Sequence, residues 1–230
     1  MTDLLSVKNV SKSFGDKKVV DDVSFSVPKG KIVGLLGKNG SGKTTILKMI
    51  NDLLTVDQGE ILICGQKVST KTKALVSFLP ERTYLNPTLT VKQTFDFFED
   101  FYSDFDREKA QDLLNDLGLD LNARLAKMSK GMKEKIQLVL VMSRRASLYV
   151  LDEPLGGVDP STRDYIMQTI LKNFGEESSI LITTHLISDV EKIIDQVVFI
   201  DNGKIILNRD AEELREEQNA SIDEIFRRTV

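Results

Sequence analysis

The stretch from Gly34 to Thr45 reads GLLGKNGSGKTT and follows the apolar residues Ile32 and Val33. It matches the pattern Gly-x-x-x-x-Gly-Lys-Thr, which predicts a phosphate-binding loop between a strand and a helix. Glycines let the backbone turn tightly around a polyphosphate, and the first amides of the helix then point at the anion. We therefore expect a nucleotide site. The alternatives are a glycine-rich turn that matches by accident and a dinucleotide-binding fingerprint.

Side chains of this loop have separate expected roles. Lys43 is expected to reach the β- and γ-phosphates, and Thr44 is expected to ligate Mg²⁺. The other expected phosphate contacts lie in the loop and at the start of its helix: Gly37, Lys38, Asn39, Gly40, Ser41, Gly42 and Thr45.

Composition limits the class of protein. The chain has 230 residues, enough for one large domain or a core with inserted subdomains. No stretch approaches a membrane span and the acid at Asp3 argues against a signal peptide, so we expect a cytoplasmic protein. The single cysteine, Cys64, excludes an internal disulfide and a cysteine-rich metal site. The net charge of −4 argues against bulk nucleic-acid binding, and no nucleic-acid partner is expected.

Apolar patterns predict two kinds of β structure. Residues 5–10 and 23–27 alternate apolar and polar side chains, as half-buried antiparallel strands do, and residues 61–63 before Gly65 predict a further strand. Continuous or nearly continuous apolar runs predict buried strands, most of them parallel, at residues 76–79, 148–151, 180–183 and 197–200.

Capping residues predict three helices between residues 86 and 146. The predicted caps and helix ends are Thr90 with Val91–Tyr102, Asp106 with an end at Gly118, and Ser129 with an end near Arg145. We therefore predict an α/β fold: a P-loop NTPase core with a parallel sheet, an N-terminal antiparallel β subdomain and an inserted helical subdomain. One domain is predicted over residues 1–230, with core segments 1–85 and 147–208, the helical insertion 86–146 and a helical tail 209–230.

Two acids follow the buried strand at residues 148–151, at the carboxyl end where open α/β sheets bind ligands. Asp152 is expected to hold Mg²⁺ through water and to complete the metal site with Thr44. Glu153 is positioned to polarise the attacking water. The alternative is a pair of acids that merely ends a strand at a turn.

Five further segments, in the right order, resemble the nucleotide-binding subunit of ABC transporters, over nearly the whole chain. Residues 128–132, MSKGM, fall where that family carries its Leu-Ser-Gly-Gly-Gln signature; Lys130 and Met132 depart from it. The resemblance implies that Ser129 and Gly131 bind the γ-phosphate of ATP held by the opposite subunit. Taken by itself, Ser129 favours the alternative of a helix cap only.

Two more segments belong to the resemblance. Residues 156–160, GGVDP, resemble the D-loop, which passes along the dimer interface, and Asp159 also suits the cap of the next helix. His185 is the only histidine and follows a predicted strand. It matches the family's switch histidine, which contacts the γ-phosphate.

The last two segments are loops. Phe14, in SKSFG at residues 11–15, resembles the aromatic loop whose ring stacks on adenine, although aromatics beside glycine turns are common in β structure. Glu81 stands where the family's Q-loop has glutamine, which implies a Mg²⁺ ligand; the alternative is a solvated loop acid.

Aromatic residues of the first predicted insertion helix have helical spacing. The positions near one face, typical of a core, are Phe95, Phe98, Tyr102 and Phe105. Phe97 and Phe101 widen this arc, so we expect exposed ring surface that forms a docking groove. In the family, this region receives a short cytoplasmic helix of the membrane subunit.

The resemblance implies a Mg²⁺-dependent ATPase subunit that forms a head-to-tail dimer with a second copy or a paralogous subunit. It would drive transport through a separate integral membrane permease, which would hold it on the inner face of the cell membrane. Export is favoured because the SKGM signature resembles bacterial export-type subunits. The alternatives are a soluble ABC-type ATPase of cluster assembly or nucleic-acid maintenance, and a nucleotide-dependent interaction module with negligible turnover.

Overall fold

The computed structural model of this chain describes residues 3–156, 158–175 and 177–230. The strands among them are β1 Asp3–Phe14, β2 Lys17–Pro28, β3 Ile32–Leu36, β4 Gln58–Ile63, β5 Gln66–Lys67, β6 Val76–Leu79, β7 Leu148–Asp152, β8 Ser179–Thr184, β9 Gln196–Asp201 and β10 Lys204–Asp210. The α-helices are α1 Lys43–Ile50, α2 Thr70–Lys73, α3 Val91–Phe101, α4 Arg107–Asp116, α5 Lys130–Met142, α6 Pro160–Asn173, α7 Ile187–Val190, α8 Ala211–Gln218 and α9 Ile222–Thr229.

The strands form two sheets. A four-stranded antiparallel sheet has the order β2-β1-β4-β5, and a six-stranded sheet has the order β10-β9-β3-β8-β7-β6. The strands β9, β3, β8, β7 and β6 run parallel, whereas β10 is antiparallel to β9. The predicted α/β fold, with a parallel core sheet and a separate antiparallel sheet, is confirmed.

The parallel sheet lies between two apolar layers, as β3 shows. Val33 and Leu35 pack with α1 and the antiparallel sheet on one face. Ile32 and Leu36 pack with the helices of residues 91–142 and the C-terminal helices on the other face. Because all five residues of β3 are buried, this strand carries side chains for both layers, which is why its sequence is continuously apolar.

Local capping explains where the inserted helices begin. Thr90 forms a capping box with Gln93, Asp106 accepts from the amide of Lys109, and the Ser129 hydroxyl accepts from that of Met132. All three predicted caps are confirmed.

The end of α5 differs from the prediction. The helix stops at Met142, three residues before Arg145. The Arg145 amide donates to the Asp104 carbonyl at 3.0 Å, and the Ser147 amide donates to the Leu75 carbonyl at 3.0 Å. Distant carbonyls, instead of helix carbonyls, therefore satisfy the amides of Arg145 and Ser147 and lead the chain into β7.

The C-terminal part starts with a strand. The strand β10 extends to Asp210, where sequence analysis expects the tail to be helical from residue 209. The Asp210 side chain then accepts from the amides of Glu212 and Glu213 and caps α8. Helical structure thus begins at Ala211.

Candidate functional site

The phosphate-binding loop joins β3 to α1 and needs glycine for two separate reasons. Gly42, immediately before α1, has φ of 111°, which other residues rarely adopt. A Cβ atom on Gly37 would lie 2.4 Å from the Ile200 carbonyl oxygen, so the loop packs too closely there for a side chain. Both glycines are therefore required by the backbone of the loop itself.

Lys43 is buried inside this loop. Its Nζ donates to the carbonyl oxygens of Gly37 at 2.7 Å and Lys38 at 3.2 Å. It also lies 3.4 Å from Glu153 Oε1. The loop thus holds one cation between its own carbonyl groups and the acid at the end of β7, at the place where the sequence predicts phosphates.

Asp152 lies beside Thr44, as expected. Thr44 Oγ1 donates to Asp152 Oδ1 at 3.3 Å, and Thr183 Oγ1 donates to the same oxygen at 2.7 Å. Burial raises the pKa of the Asp152 carboxyl, the two hydroxyl hydrogen bonds oppose this shift, and the charges of Glu81 and Glu153 add to it. Asp152 is therefore a buried acid whose ionised form is disfavoured by its surroundings.

Glu153 has a backbone conformation that few residues other than glycine adopt. Its φ is 48°, and its amide donates to the Thr183 carbonyl at 3.0 Å and approaches Thr183 Oγ1 at 3.2 Å. Its Oε2 atom lies 2.9 Å from His185 Nδ1 and accepts from the His185 amide at 3.3 Å. The carboxylate is thereby aimed across the strand ends, with Oε2 toward His185 and Oε1 toward Lys43.

Thr183 belongs to this site, although the sequence predicts only a strand at residues 180–183 and no role for this side chain. It contacts both acids, Asp152 through its hydroxyl and Glu153 through its carbonyl. The reason is the register of two parallel strands, in which Asp152 of β7 is the direct partner of Thr183 of β8. The sequence signal was a threonine at the end of a predicted strand. Its contacts with the two acids follow only from the pairing of β7 with β8.

The site includes an open cleft of about 940 Å³. Its lining combines the loop and its helix with residues of other segments: Asn39, Gly40, Gly42, Lys43, Thr44, Thr45, Glu81, Lys130, Lys133, Glu153 and His185. Lysine side chains from two parts of the chain therefore face the same space as Thr44, which suits a polyanion.

The oxygen atoms of this site suit a Mg²⁺ ion whose other ligands are phosphate oxygens and water. Among the described residues, no group of three or more His, Cys, Asp or Glu side chains is arranged to hold a metal ion. The Thr44 hydroxyl and the Asp152 carboxylate instead supply two hard oxygen donors, and Glu81 lies close enough to raise the pKa of Asp152. Mg²⁺ is typically bound through one or two protein oxygens together with phosphates and water, so these residues fit it.

Other predicted site residues lie apart from this cluster. The Ser129 hydroxyl caps α5, and no described atom lies within 4 Å of the Cβ position of Gly131. Packing within the chain therefore does not require glycine at 131. Asp159 caps α6 through the amide and hydroxyl of Thr162, whereas Gly157 of the same predicted loop lies outside the described residues.

Phe14, Lys38 and Ser41 do not line the cleft described above. Phe14 ends β1, is 52% exposed and is not part of the cleft lining. Lys12 Nζ lies 5.9 Å from its ring centre and 2.5 Å from Asp57 Oδ1. Lys38 and Ser41 line a second cavity, behind the loop, with Asp201. The ring of Phe14 is therefore exposed enough to stack on a ligand, although it does not line the cleft.

The aromatic helix α3 and the residues just after it have the two predicted faces. Phe95, Phe98 and Phe105 are buried, and Tyr102 is half-buried. Phe97 and Phe101 are 57% and 68% exposed, with ring centres 6.0 Å apart. The predicted exposure of these two rings is confirmed.

Exposed apolar side chains also border a groove of about 400 Å³ beside α3, whose lining includes Phe98, Tyr102 and Arg144. We call the exposed set around it, Leu53, Tyr84, Phe97 and Phe101, the docking patch. No helix within the described residues is long and apolar enough to span a membrane.

Comparisons with known proteins agree with one another. A family model described as ABC transporter matches residues 20–156. The chain is 33% identical over 217 residues to the ABC transporter ATP-binding protein YtrB of Bacillus subtilis, covering 93% of this chain and 74% of YtrB. It is 33% identical over 210 residues to the Nod factor export ATP-binding protein I of Burkholderia orbicola, covering 88% and 69%. A solved structure of an ATP-binding subunit of an ABC transporter superposes with a TM-score of 0.89 at 28% identity, covering 98% of this chain and 99% of the other.

Proposed function

This chain belongs to the ATP-binding subunits of ABC transporters, and we propose that it hydrolyses Mg·ATP in a head-to-tail dimer to drive export through a membrane permease. The observation that carries the proposal is the meeting of three ionisable side chains at the strand ends. Lys43 Nζ, the Glu153 carboxylate and His185 Nδ1 are joined by distances of 3.4 Å and 2.9 Å. Their chemistry is that of a phosphate-binding cation, a general base and an imidazole that orients this base.

Lys43 is proposed to bind the β- and γ-phosphates. Its present partners are two loop carbonyls and one carboxylate, and an incoming triphosphate would compete for the same ammonium group. The other proposed phosphate contacts are loop and α1 amides, which point at the anion from the positive end of the helix dipole.

Glu153 is proposed to accept the proton of the attacking water. Its Oε2 is already paired with His185, and among the described residues its Oε1 has no hydrogen-bond partner. A buried carboxylate oxygen with unused acceptor capacity is a group that can take a proton from water. His185 would orient this carboxylate and contact the γ-phosphate.

Mg²⁺ is proposed to be held by Thr44 directly and by Asp152 through water, with Glu81 as a further oxygen donor. When bound, the ion would neutralise charge on the triphosphate oxygens. Thr183 is proposed to hold the Asp152 carboxylate in position. Its hydroxyl donates to Asp152 Oδ1 over a shorter distance than the Thr44 hydroxyl does.

A second subunit is proposed to complete each site through Ser129, Gly131 and Asp159. The Cβ position of Gly131 faces open space, so its lack of a side chain leaves the start of α5 open to a neighbouring ligand. Helix amides at such a start favour an anion. Phe14 is proposed to stack on adenine, since its ring is exposed at the end of β1. The second subunit is another copy of this chain or a paralogue.

The docking patch is proposed to receive a cytoplasmic segment of the permease. Adjacent exposed rings, such as the stacked pair Phe97 and Phe101, mark an interaction surface more often than scattered apolar residues do. This contact would place the chain on the cytoplasmic face of the membrane. Export is proposed because one relative is named a Nod factor export ATP-binding protein.

The proposed activity is tested with Lys43→Ala in purified protein. Removing the ammonium group should abolish Mg·ATP binding or turnover, because no other side-chain cation lies within the loop carbonyl cradle that the structure describes. Calorimetric titration with Mg·ATP and phosphate release are the measurements.

The matched control is Lys48→Ala, which removes an exposed lysine from the same helix. It should leave affinity and turnover unchanged. Wild-type affinity and turnover in Lys43→Ala would contradict the proposed nucleotide site.

A further inference from the structure

Arg144, just after α5, is a charged side chain buried between the helical insertion and the parallel sheet, with only 3% of its surface exposed. Its Nε and Nη2 atoms donate to the two carboxylate oxygens of Asp104, both at 3.0 Å. A buried guanidinium is tolerated only when its charge is paired and its donors are satisfied. Arg144 therefore has a fixed position relative to the segment that follows α3.

The same guanidinium is bonded to the start of β6. Nη1 donates to the Val76 carbonyl at 2.6 Å, and Nη2 donates to the Ala74 carbonyl at 2.8 Å. The strand β6 ends at Leu79, and the chain continues through Pro80 to Glu81, which lines the nucleotide cleft. Arg144 is thereby connected to the segment that carries a proposed metal ligand.

On its other side, Arg144 contacts the aromatic ring of Tyr102, the residue that directly follows α3. Its Cζ atom lies 3.9 Å from the ring centre of Tyr102, within the range of a cation–π contact. The Tyr102 ring centre lies 4.9 Å from that of Phe101, which belongs to the docking patch. One planar group thus touches both the aromatic helix and the strand that leads to Glu81.

We propose that Arg144 is the positioning residue through which the docking patch and the Glu81 side of the nucleotide cleft influence each other. The inference rests on the proposed function. The guanidinium is rigid and planar, and this one group makes both the fork to Asp104 and the hydrogen bonds to the Ala74 and Val76 carbonyls. A displacement of Asp104 that keeps the fork must therefore either break the hydrogen bonds to Ala74 and Val76 or move the start of β6 with it.

Coupling of this kind is reciprocal, because each site changes the free energy of the other equally. Nucleotide binding should accordingly alter the surroundings of the docking patch in the isolated chain. This permits a test without the permease.

The test uses a fluorescent reporter on the docking patch. The sequence contains no tryptophan, so Phe101→Trp introduces a single emitter at an exposed position next to Tyr102. The reporter variant is titrated with Mg·ATPγS while its emission is recorded, and its affinity is measured separately by calorimetry. We expect the emission maximum to shift on saturation.

Arg144→Lys in the reporter background retains the charge but loses the fork that joins Asp104 to both carbonyls. We expect the emission shift to be lost while the dissociation constant for Mg·ATPγS stays within about twofold of the parent, as for a site distant from the ligand. A residue with only a structural role would lower thermal stability or affinity and would not remove the shift selectively.

Arg145→Lys is the matched control, because Arg145 is adjacent and its side chain is exposed and paired only with Asp106 among the described residues. It should keep the full shift. If Arg144→Lys does not fold, the test uses Asp104→Asn in the reporter background. This variant weakens the same pair of hydrogen bonds at the carboxylate end and should also remove the emission shift.

Two results would overturn the inference. One is the absence of any shift in the parent reporter, and the other is a parental shift in the folded Arg144→Lys or Asp104→Asn variant. Failure of the parent reporter to bind Mg·ATPγS would instead overturn the proposed function, whereas binding without a transmitted shift would overturn the role of Arg144 alone.

Discussion

At the residue scale, the acids at the end of β7 are held in arrangements that oppose stability. Glu153 has a φ of 48°, and such a backbone persists only when its surroundings enforce it. Burial raises the pKa of Asp152, so keeping that carboxylate ionised costs free energy of folding. Costs of this kind are typical of groups that are positioned for a reaction rather than for packing.

Asp152→Asn should therefore stabilise the protein while impairing it. The raised pKa in the folded state means that wild-type stability falls as pH rises from the ordinary aspartate range through the folded-state pKa. Asparagine cannot ionise, so the melting temperature of the variant should exceed that of wild type at pH 7.5, and the difference should vanish near pH 4. Turnover should fall about 10- to 100-fold, the usual effect of losing an outer metal partner.

Asp57→Asn is a control for which the expected change in melting temperature has the opposite sign. The Lys12 ammonium, and then the Ser13 amide, hold the pKa of Asp57 below its usual range. Its contribution to stability is therefore present at neutral pH and is lost as pH falls through the folded-state pKa. This variant should melt below wild type at pH 7.5 and approach it in acid. A lower melting temperature of Asp152→Asn at pH 7.5 would contradict the account of Asp152.

Residues of the site could be predicted where the chemistry lies in consecutive positions. Lys43 and Thr44 belong to one local motif, and Asp152 and Glu153 directly follow one apolar run. Thr183 could not be assigned because its role depends on which residue of β7 it faces. The positive φ of Glu153 could not be predicted from the sequence either, since it accompanies the hydrogen bond from the Glu153 amide to Thr183 of β8.

At the scale of elements, helix starts could be predicted and several other elements could not. Caps such as Thr90 and Asp106 act on amides three residues away, so the sequence contains the whole interaction. The strand β10 exposes most of its residues, and β9 is its one hydrogen-bonded neighbour in the described sheet. Its weak apolar pattern is the expected signature of an edge strand.

The helix α3 provides a prediction about partner binding. Phe97→Asp should weaken association with the permease by about 2 kcal/mol or more, because aromatic anchors dominate interface energies. The ring is 57% exposed, so folding and basal ATPase activity should change little. The measurement is co-purification of a membrane-spanning protein with the tagged chain from detergent-solubilised membranes, alongside basal ATPase.

Leu171→Asp on α6 is the matched control, since it places the same charge at another exposed apolar position. It should leave co-purification intact. Undiminished co-purification of Phe97→Asp would place the permease contact elsewhere. A large drop in its melting temperature together with lost ATPase would show that the ring serves the core.

At the scale of the whole molecule, the parallel sheet explains how distant motifs meet. The strands β3, β8 and β7 are neighbours, and their carboxyl ends carry the phosphate loop, His185 and the acid pair. Residues more than a hundred positions apart are thereby brought within 3.4 Å, as for Lys43 and Glu153. Ser129 and Gly131 stand at the start of α5 and do not line the nucleotide cleft, so we propose that they serve the site of a second subunit.

The most direct test of the account is sedimentation of Glu153→Gln with and without Mg·ATP. Removing the proposed base should lower hydrolysis by about 10²–10⁴ while ATP affinity is kept. Bound ATP then persists between the subunits. We predict a monomer of 25.8 kDa without nucleotide and a species of twice that mass with saturating Mg·ATP, from which hydrolysing wild-type protein returns to monomer. A variant that binds Mg·ATP yet stays strictly monomeric at high protein concentration would contradict dimerisation between copies of this chain, and hydrolysis at the wild-type rate would contradict the role of Glu153.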